Sequence, residues 1–290
     1  KQIPDSMLAF RSFLDSLPYE EALKCRFVLH TEISTDHGTD LAKVKEFLFD
    51  EKYFDCVQFS LSKIDRKTLN FLYNIADVQI LLTSNEGWGL SLTEALLVGN
   101  PIIANVTGGM QDQMRFSKKG KWIDFSADFP SNHNGTIKEH GEWAFPVYPT
   151  NRSIQGSPLT PYIWDDRCNA EDAAEQIKTV YNLSKEERQS LGLKGREWAL
   201  SEEAGFTGEK QGARVIEAFN TLFNTWKPRE KYELINTNEV KDRGDFDDWT
   251  GPIKFNQEID ETKWEKINLF NFGIVKNKPS STGITILRKK

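Results

Sequence analysis

The stretch Ser84-Asn85-Glu86-Gly87-Trp88-Gly89-Leu90-Ser91-Leu92-Thr93-Glu94 decides how this chain is read. Ahead of it, Val78 to Thr83 is an apolar run that predicts a buried strand. Behind it, Ser91 to Val98 predicts a helix, stopped by Gly99-Asn100-Pro101, and Ile102 to Val106 predicts the next strand. Strands joined through single helices form right-handed crossovers, hence a parallel sheet covered on both faces. The loop then lies at the carboxyl end of a parallel strand, where open α/β sheets bind their ligands.

The composition of that loop suits an anion flanked by hydroxyls. Gly87 and Gly89 let the backbone turn sharply and approach a ligand. The helix after them offers N–H groups and a positive dipole end, which favour a group such as pyrophosphate. Glu86 on the loop and Glu94 one to two turns into the helix can face one crevice. Carboxylates there accept hydrogen bonds from sugar hydroxyls, each worth about 1.5–3 kcal/mol. Each feature also has a plainer reading. Ser91-Leu92-Thr93-Glu94 has the form of a capping box, Glu86 has the form of a solvated loop acid, and a Gly-x-Gly turn before a helix is common. The coincidence of both acids, both glycines and the strand–loop–helix setting is far more demanding than any one of them.

Working outward, helical spacing over Met7 to Leu17, Leu41 to Phe49 and Thr68 to Ala76 alternates with strand-like Cys25 to Leu29 and Cys56 to Leu61. Beyond Val106 the rhythm breaks. Residues 107–167 are rich in Gly, Asn, Ser, Pro and Trp, with only Trp143 to Tyr148 strand-like, which marks a loop insertion. Helices resume after Asn169, a cap candidate. Ser184-x-x-Glu187 is a second capping box, and Arg214 to Trp226 is amphipathic. Residues 1–227 thus form one α/β domain, and 228–290 a polar extension, packed on the surface or partly disordered.

Bulk composition agrees with a globular protein: 38% hydrophobic and 28% charged residues, net charge -6. The acidic balance gives no reason to expect nucleic acid. No apolar run reaches membrane-span length and no signal peptide is visible, so the expectation is a cytoplasmic protein without a membrane span. Cys25, Cys56 and Cys168 have no metal-ligand spacing and are read as reduced thiols. The sequons at Asn105, Asn134, Asn151 and Asn182 are read as chance matches.

Glu86-x7-Glu94 with its internal Gly-aromatic-Gly-Leu resembles the signature of the retaining two-domain (GT-B) glycosyltransferases of the large family 4 group. Leu72-Tyr73-x-x-Ala76-Asp77-Val78 ahead of it, and Gly99-Asn100-Pro101-Ile102-Ile103-Ala104 with Gly108-Gly109 behind it, are similar to the flanking family motifs. The resemblance spans roughly residues 1–200. Gly-Gly-x-Gln-Asp and His-Gly-Glu-Trp look more like glycosyltransferases of viral or environmental origin than the commonest bacterial ones. It implies the donor-binding, C-terminal half of a GT-B fold, with a Rossmann-like sheet. The implied activity is transfer of a hexosyl group from a nucleoside-diphosphate sugar to a glycan, lipid or protein acceptor with retention. No metal or other cofactor is implied. Glu86 matches the acid that contacts hydroxyls of the transferred sugar and Glu94 the acid that binds the ribose. Gly87 and the backbone amides of Trp88, Gly89, Leu90 and Ser91 match the loop holding the donor. Lys1 stands ahead of Ala9-Phe10 as the family's diphosphate-neutralising lysine does, or is an ordinary N-terminal lysine. Ile64 and Leu69 fall where the family contacts the base.

There are departures. The family's N-terminal acceptor-binding domain, the first strand of this domain and the arginine partner of Lys1 are missing. Trp88 replaces the usual Phe, and Gln111-Asp112 stand where Glu is common. The rivals are a nucleotide-sugar-binding module, inactive until the missing domain completes the cleft, and a GT-B-shaped epimerase or phosphorylase. Among other residues, Asp165-Asp166 and Asp247-Asp248 read as solvated loop acids, His133 and His140 as loop residues without a ligand array, His30 as a satisfied histidine at the sheet edge, and Trp198 and Trp226 as core.

Overall fold

Around the quoted loop the chain builds a parallel α/β layer. In the computed structural model, which describes residues 2–35, 38–123, 131–157, 159–227, 264–268 and 285–289, β1 (Phe27–His30) pairs in parallel with β2 (Val57–Ser60), Phe27 opposite Val57. A second parallel group, β3 (Gln79–Leu81), β4 (Ile102–Asn105) and β7 (Ala144–Val147), has β4 at its centre, with Gln79 opposite Ile102 and Ile102 opposite Ala144. The helices are α1 (Ile3–Asp15), the turn α2 (Tyr19–Ala22), α3 (Leu41–Leu48), α4 (Arg66–Ile75), α5 (Leu90–Val98), the turn α6 (Met110–Gln113), α7 (Ala170–Asn182), α8 (Lys185–Leu200) and α9 (Gly208–Thr225). A 3-10 turn, Phe54–Cys56, leads into β2.

Period-2 alternation in β4 explains the layering. Ile102 and Ala104 face α5 and α8, joining Leu92, Leu96, Trp143 and Trp198 in one core. Ile103 faces the other way, joining Leu82, Val147, Ala173 and Val180, with Ala9 of α1. All four residues of β4 are buried, as expected for a parallel strand covered on both faces. A third cluster, Met7, Phe10, Phe13, Leu14, Leu41, Phe49, Tyr53 and Val57, holds α1 and α3 on β1 and β2. Each fully buried side chain of this kind contributes about 1.5–3 kcal/mol over leaving it in water.

Local signals behaved as their chemistry dictates. Asp40 caps α3 and Asp65 caps α4 through their carboxylates, and Ser184 with Glu187 forms the expected capping box on α8. Asn169 precedes α7 but makes no side-chain cap; its Oδ1 accepts from the Thr150 hydroxyl at 2.9 Å. Trp198 is buried as expected, whereas Trp226 is 61% exposed, which corrects its placement in the core.

Residues 107–167 hold more structure than their composition suggests. Besides β7 they contain α6, the short pair β5 (Ser117–Lys118) and β6 (Lys121–Trp122), and an antiparallel hairpin of β8 (Asn151–Ser157) and β9 (Thr160–Arg167). The chain divides into two units, Lys1–Thr225 and Trp226–Lys290. In the second, β10 (Trp264–Asn268) pairs antiparallel with β11 (Thr285–Lys289). Asp247-Asp248 lies outside the described residues. Among the described residues no helix is long and apolar enough to cross a membrane.

Candidate functional site

The chain leaves β3 through the buried Leu82, Thr83 and Ser84 and emerges at the carboxyl edge of the sheet as the loop Asn85–Gly89. Gly89 is the N-cap of α5 with φ 86°, a left-handed conformation that favours glycine. Gly87 needs no such freedom: a Cβ there would meet nothing within 4 Å. Helix α5 begins at Leu90 with no side-chain cap and no acid in its first turn. Its first N–H groups are thus left for solvent or an anion, at the positive end of the dipole.

The loop is gripped from behind. The Gln113 amide donates to the carbonyls of Trp88 and, at 3.2 Å, Gly89. Its Oε1 accepts from the Thr93 hydroxyl at 2.7 Å, and that hydroxyl accepts from the Trp88 indole at 2.8 Å. The Trp88 ring stands edge-on to Phe206 at 5.0 Å and walls a hollow of about 440 Å³ that Trp122 and Arg214 also line. The second support is Gly108-Gly109. The Gly109 N–H donates to the Glu86 carbonyl at 3.2 Å, and a Cβ on Gly109 would sit 2.2 Å from the Gly87 oxygen. Two backbones touch there, which is why glycine occupies the position.

Glu94 does not cap its helix. The N-cap is Gly89 rather than Ser91, so the capping-box reading of residues 91–94 fails. Instead Glu94 is exposed on α5 and accepts a hydrogen bond at 2.6 Å from the Tyr73 hydroxyl of α4. Burial first, then the bond to Glu94, push the Tyr73 pKa up, so the phenol remains a donor. The Asn100 amide donates to the Tyr73 carbonyl. Glu86 is partly buried on the loop. Ile64, just ahead of α4, and Leu69, one helical turn before Tyr73, are also partly buried. Leu90 is exposed at the start of α5, with Ser91 beside it partly buried. Lys1 lies outside the described residues.

One part of the site went unseen in the sequence. Hairpin β8–β9 packs on the same sheet edge: the Asp166 N–H donates to the Ser84 carbonyl at 2.8 Å, and the Asn85 amide to the Trp164 carbonyl at 2.9 Å. The Asp166 carboxylate is fully buried and accepts from Thr107 at 2.7 Å and Arg152 at 3.1 Å. The Asn105 amide joins Thr83 to Asp166 through their carbonyls. Asp165 and Asp166 are therefore buried strand residues that brace the loop, not solvated loop acids; charge is tolerated inside only when paired. Burial alone would raise the Asp165 pKa, but hydrogen bonds with Ser84 and Arg167 outweigh it and hold the carboxyl below its usual value.

The His30 Nδ1 lies 3.1 Å from the Ser60 hydroxyl at the exposed end of β1. His133 is buried, edge-on to Phe116 at 4.5 Å, and its Nδ1 accepts from the Ile137 N–H; burial pushes its pKa down to about 4. Among the described residues no group of three or more His, Cys, Asp or Glu is placed to hold a metal ion. Cys25, Cys56 and Cys168 are free thiols.

Comparison with known proteins agrees with the resemblance. Residues 38–129, which include both acids and the supporting Gly-Gly turn, match the family model described as glycosyl transferases group 1. An uncharacterized glycosyltransferase of Methanocaldococcus jannaschii is 25% identical over 130 residues, 43% of this chain and 30% of the relative. Similar solved structures include a sucrose-phosphate synthase from Thermosynechococcus elongatus (20% identity, TM-score 0.48, covering 78% of this chain and 44% of that one). Another is a trehalose-6-phosphate protein from E. coli bound with UDP-2-fluoro glucose (13% identity, TM-score 0.48, 78% and 42%). The chain thus spans less than half the length of each of these proteins.

Proposed function

We propose that this chain is the nucleotide-sugar-binding half of a retaining hexosyltransferase, with the donor seated on the loop Glu86–Ser91. The observation that carries this reading is the uncapped N-terminus of α5 at Gly89, flanked by Glu86 on the loop and Glu94 on the helix, at the carboxyl edge of a parallel sheet. Diphosphate would lie on the free N–H groups of Leu90 and Ser91. Glu94 would accept from the ribose hydroxyls and Glu86 from hydroxyls of the sugar, with Ile64 and Leu69 against the base.

As the bond from the anomeric carbon to the diphosphate breaks and the acceptor oxygen bonds in its place, negative charge grows on the leaving group. A fixed helix dipole and the Lys1 ammonium would stabilise that charge in place of a metal. Glu86 would orient the sugar rather than attack it. Since the match covers only 30% of the curated relative's length, the isolated chain is read as competent to bind donor and dependent on further sequence for the acceptor.

Calorimetric titration with uridine, guanosine and adenosine diphosphate sugars tests the reading and identifies the base. Glu94→Gln is expected to weaken nucleotide binding by about 1.5–3 kcal/mol, the scale of a charge-assisted hydrogen bond. In the active enzyme Glu86→Gln should cut turnover by about 10²-fold, as loss of one site group does. Unchanged binding and turnover in both variants would discard the assignment.

A further inference from the structure

We propose that Tyr73 is a positioning residue: by holding Glu94 in one orientation, it sets the preference of this site for ribonucleotides over deoxyribonucleotides. The inference rests on the reading of Glu94 as the ribose acid. An exposed glutamate on a helix surface samples several rotamers and loses that freedom when a ligand captures it. Here the choice is already made, because the Tyr73 hydroxyl, from a different helix, holds Oε2 at 2.6 Å.

Tyr73 is itself anchored twice. Its ring packs on the core formed by Leu92, Leu96 and their neighbours, and its carbonyl accepts from the buried Asn100 at the start of the strand segment after α5. The chain Asn100–Tyr73–Glu94 therefore ties the end of α4 to the middle of α5.

Acceptor arithmetic leaves room for the ligand. An ionised carboxylate offers about four lone-pair sites. The phenol takes one of them, and a ribose cis-diol needs two. Leu69 lies one turn earlier on the same face of α4, so that helix would supply a base contact and the tether of the ribose acid together.

The test is Tyr73→Phe in the full 290-residue chain, titrated with the nucleoside diphosphate that binds best and with its 2′-deoxy and 3′-deoxy analogues. Phenylalanine keeps the ring packing, and thermal unfolding checks that it does. Affinity for the ribonucleotide is expected to fall about tenfold, the scale of one charge-assisted bond, and that for the deoxy analogues, which each keep only one hydroxyl for Glu94, by less than half of that in free energy, about threefold or under. In a Glu94→Gln background the same substitution should cost nothing more, because the two residues act as one unit. Equal losses for ribo and deoxy ligands, or no loss for either, would overturn the proposal while leaving the donor site standing. A parent chain that binds no nucleoside diphosphate would remove the donor site and this inference with it.

Discussion

Replacing Gly109 by alanine probes whether the acid-bearing loop is held by contact between backbones. The new Cβ would lie 2.2 Å from the Gly87 carbonyl oxygen and 3.0 Å from the Trp88 Cα. Ordinary carbon–oxygen contacts are about 3.3–3.6 Å, so the two segments must part by about 1 Å. Neither side can yield by a rotamer change, since the atoms met are main chain. Overpacking of this kind costs about 1–3 kcal/mol. Parting the segments also weakens the 3.2 Å bond from the Gly109 N–H to the Glu86 carbonyl, worth about 0.5–1.5 kcal/mol. The sum, about 1.5–4.5 kcal/mol, lowers Tm by roughly 3–18 °C in a domain of this size. Displacement of Glu86 and Gly87 should also weaken nucleotide binding at least about tenfold, because a 1 Å error at a site is costly. Gly87→Ala is the control within the same loop: its Cβ meets nothing within 4 Å, so stability should stay within about 0.5 kcal/mol of the parent. Differential scanning calorimetry and nucleotide titration on both variants decide the matter. A Gly109→Ala protein as stable as Gly87→Ala, with parental affinity, would refute the backbone-contact reasoning.

Other outcomes follow from the same geometry. Gln113→Leu removes the amide donor to the part-buried Trp88 carbonyl and the second donor to the Gly89 carbonyl, which keeps the Leu92 N–H at 2.9 Å. Urea unfolding should show a loss of about 1–3 kcal/mol, the desolvation penalty of the orphaned Trp88 carbonyl, and a loss under about 0.5 kcal/mol would contradict the clamp. His133, whose pKa burial lowers to about 4, stays neutral when folded while the unfolded residue titrates near 6.5. Between those values the unfolded state binds more protons, so stability should fall as pH drops from about 6.5 toward 4. His133→Gln should show a shallower decline over that window in Tm measured against pH; parallel curves would count against the assignment. Glu86→Gln and Glu94→Gln separate turnover from nucleotide affinity, and Tyr73→Phe separates ribose from deoxyribose, as set out above.

Much of the fold was legible because apolar periodicity is carried by the chain itself. Met7 to Leu17 and Thr68 to Ala76 announced α1 and α4, and the apolar run Ile102 to Val106 announced the buried centre of the sheet. The position of the acid loop followed from the strand before it and the helix after it. Ser184 and Glu187 were readable as a cap because both partners lie within one helical turn. The β8–β9 hairpin was not readable. Asn151, Arg152, Ser153, Gln155 and Gly156 show no apolar alternation, and the strands persist by pairing with each other and hydrogen-bonding to Ser84 and Asn85.

What the residues alone determined was therefore the order of elements and the place of Glu86 and Glu94 at a sheet edge, since hydrophobic burial depends on spacing along the chain. Which partner each polar group takes was decided only in three dimensions. Glu94 has a capping-box spacing to Ser91 but bonds to Tyr73, 21 residues away on another helix. Asp166 has the composition of a loop acid but is buried against Arg152 and Thr107. A hydrogen bond requires atoms about 3 Å apart in the right direction, and only the packing of α4 on α5, and of the hairpin on the sheet edge, brings those atoms together.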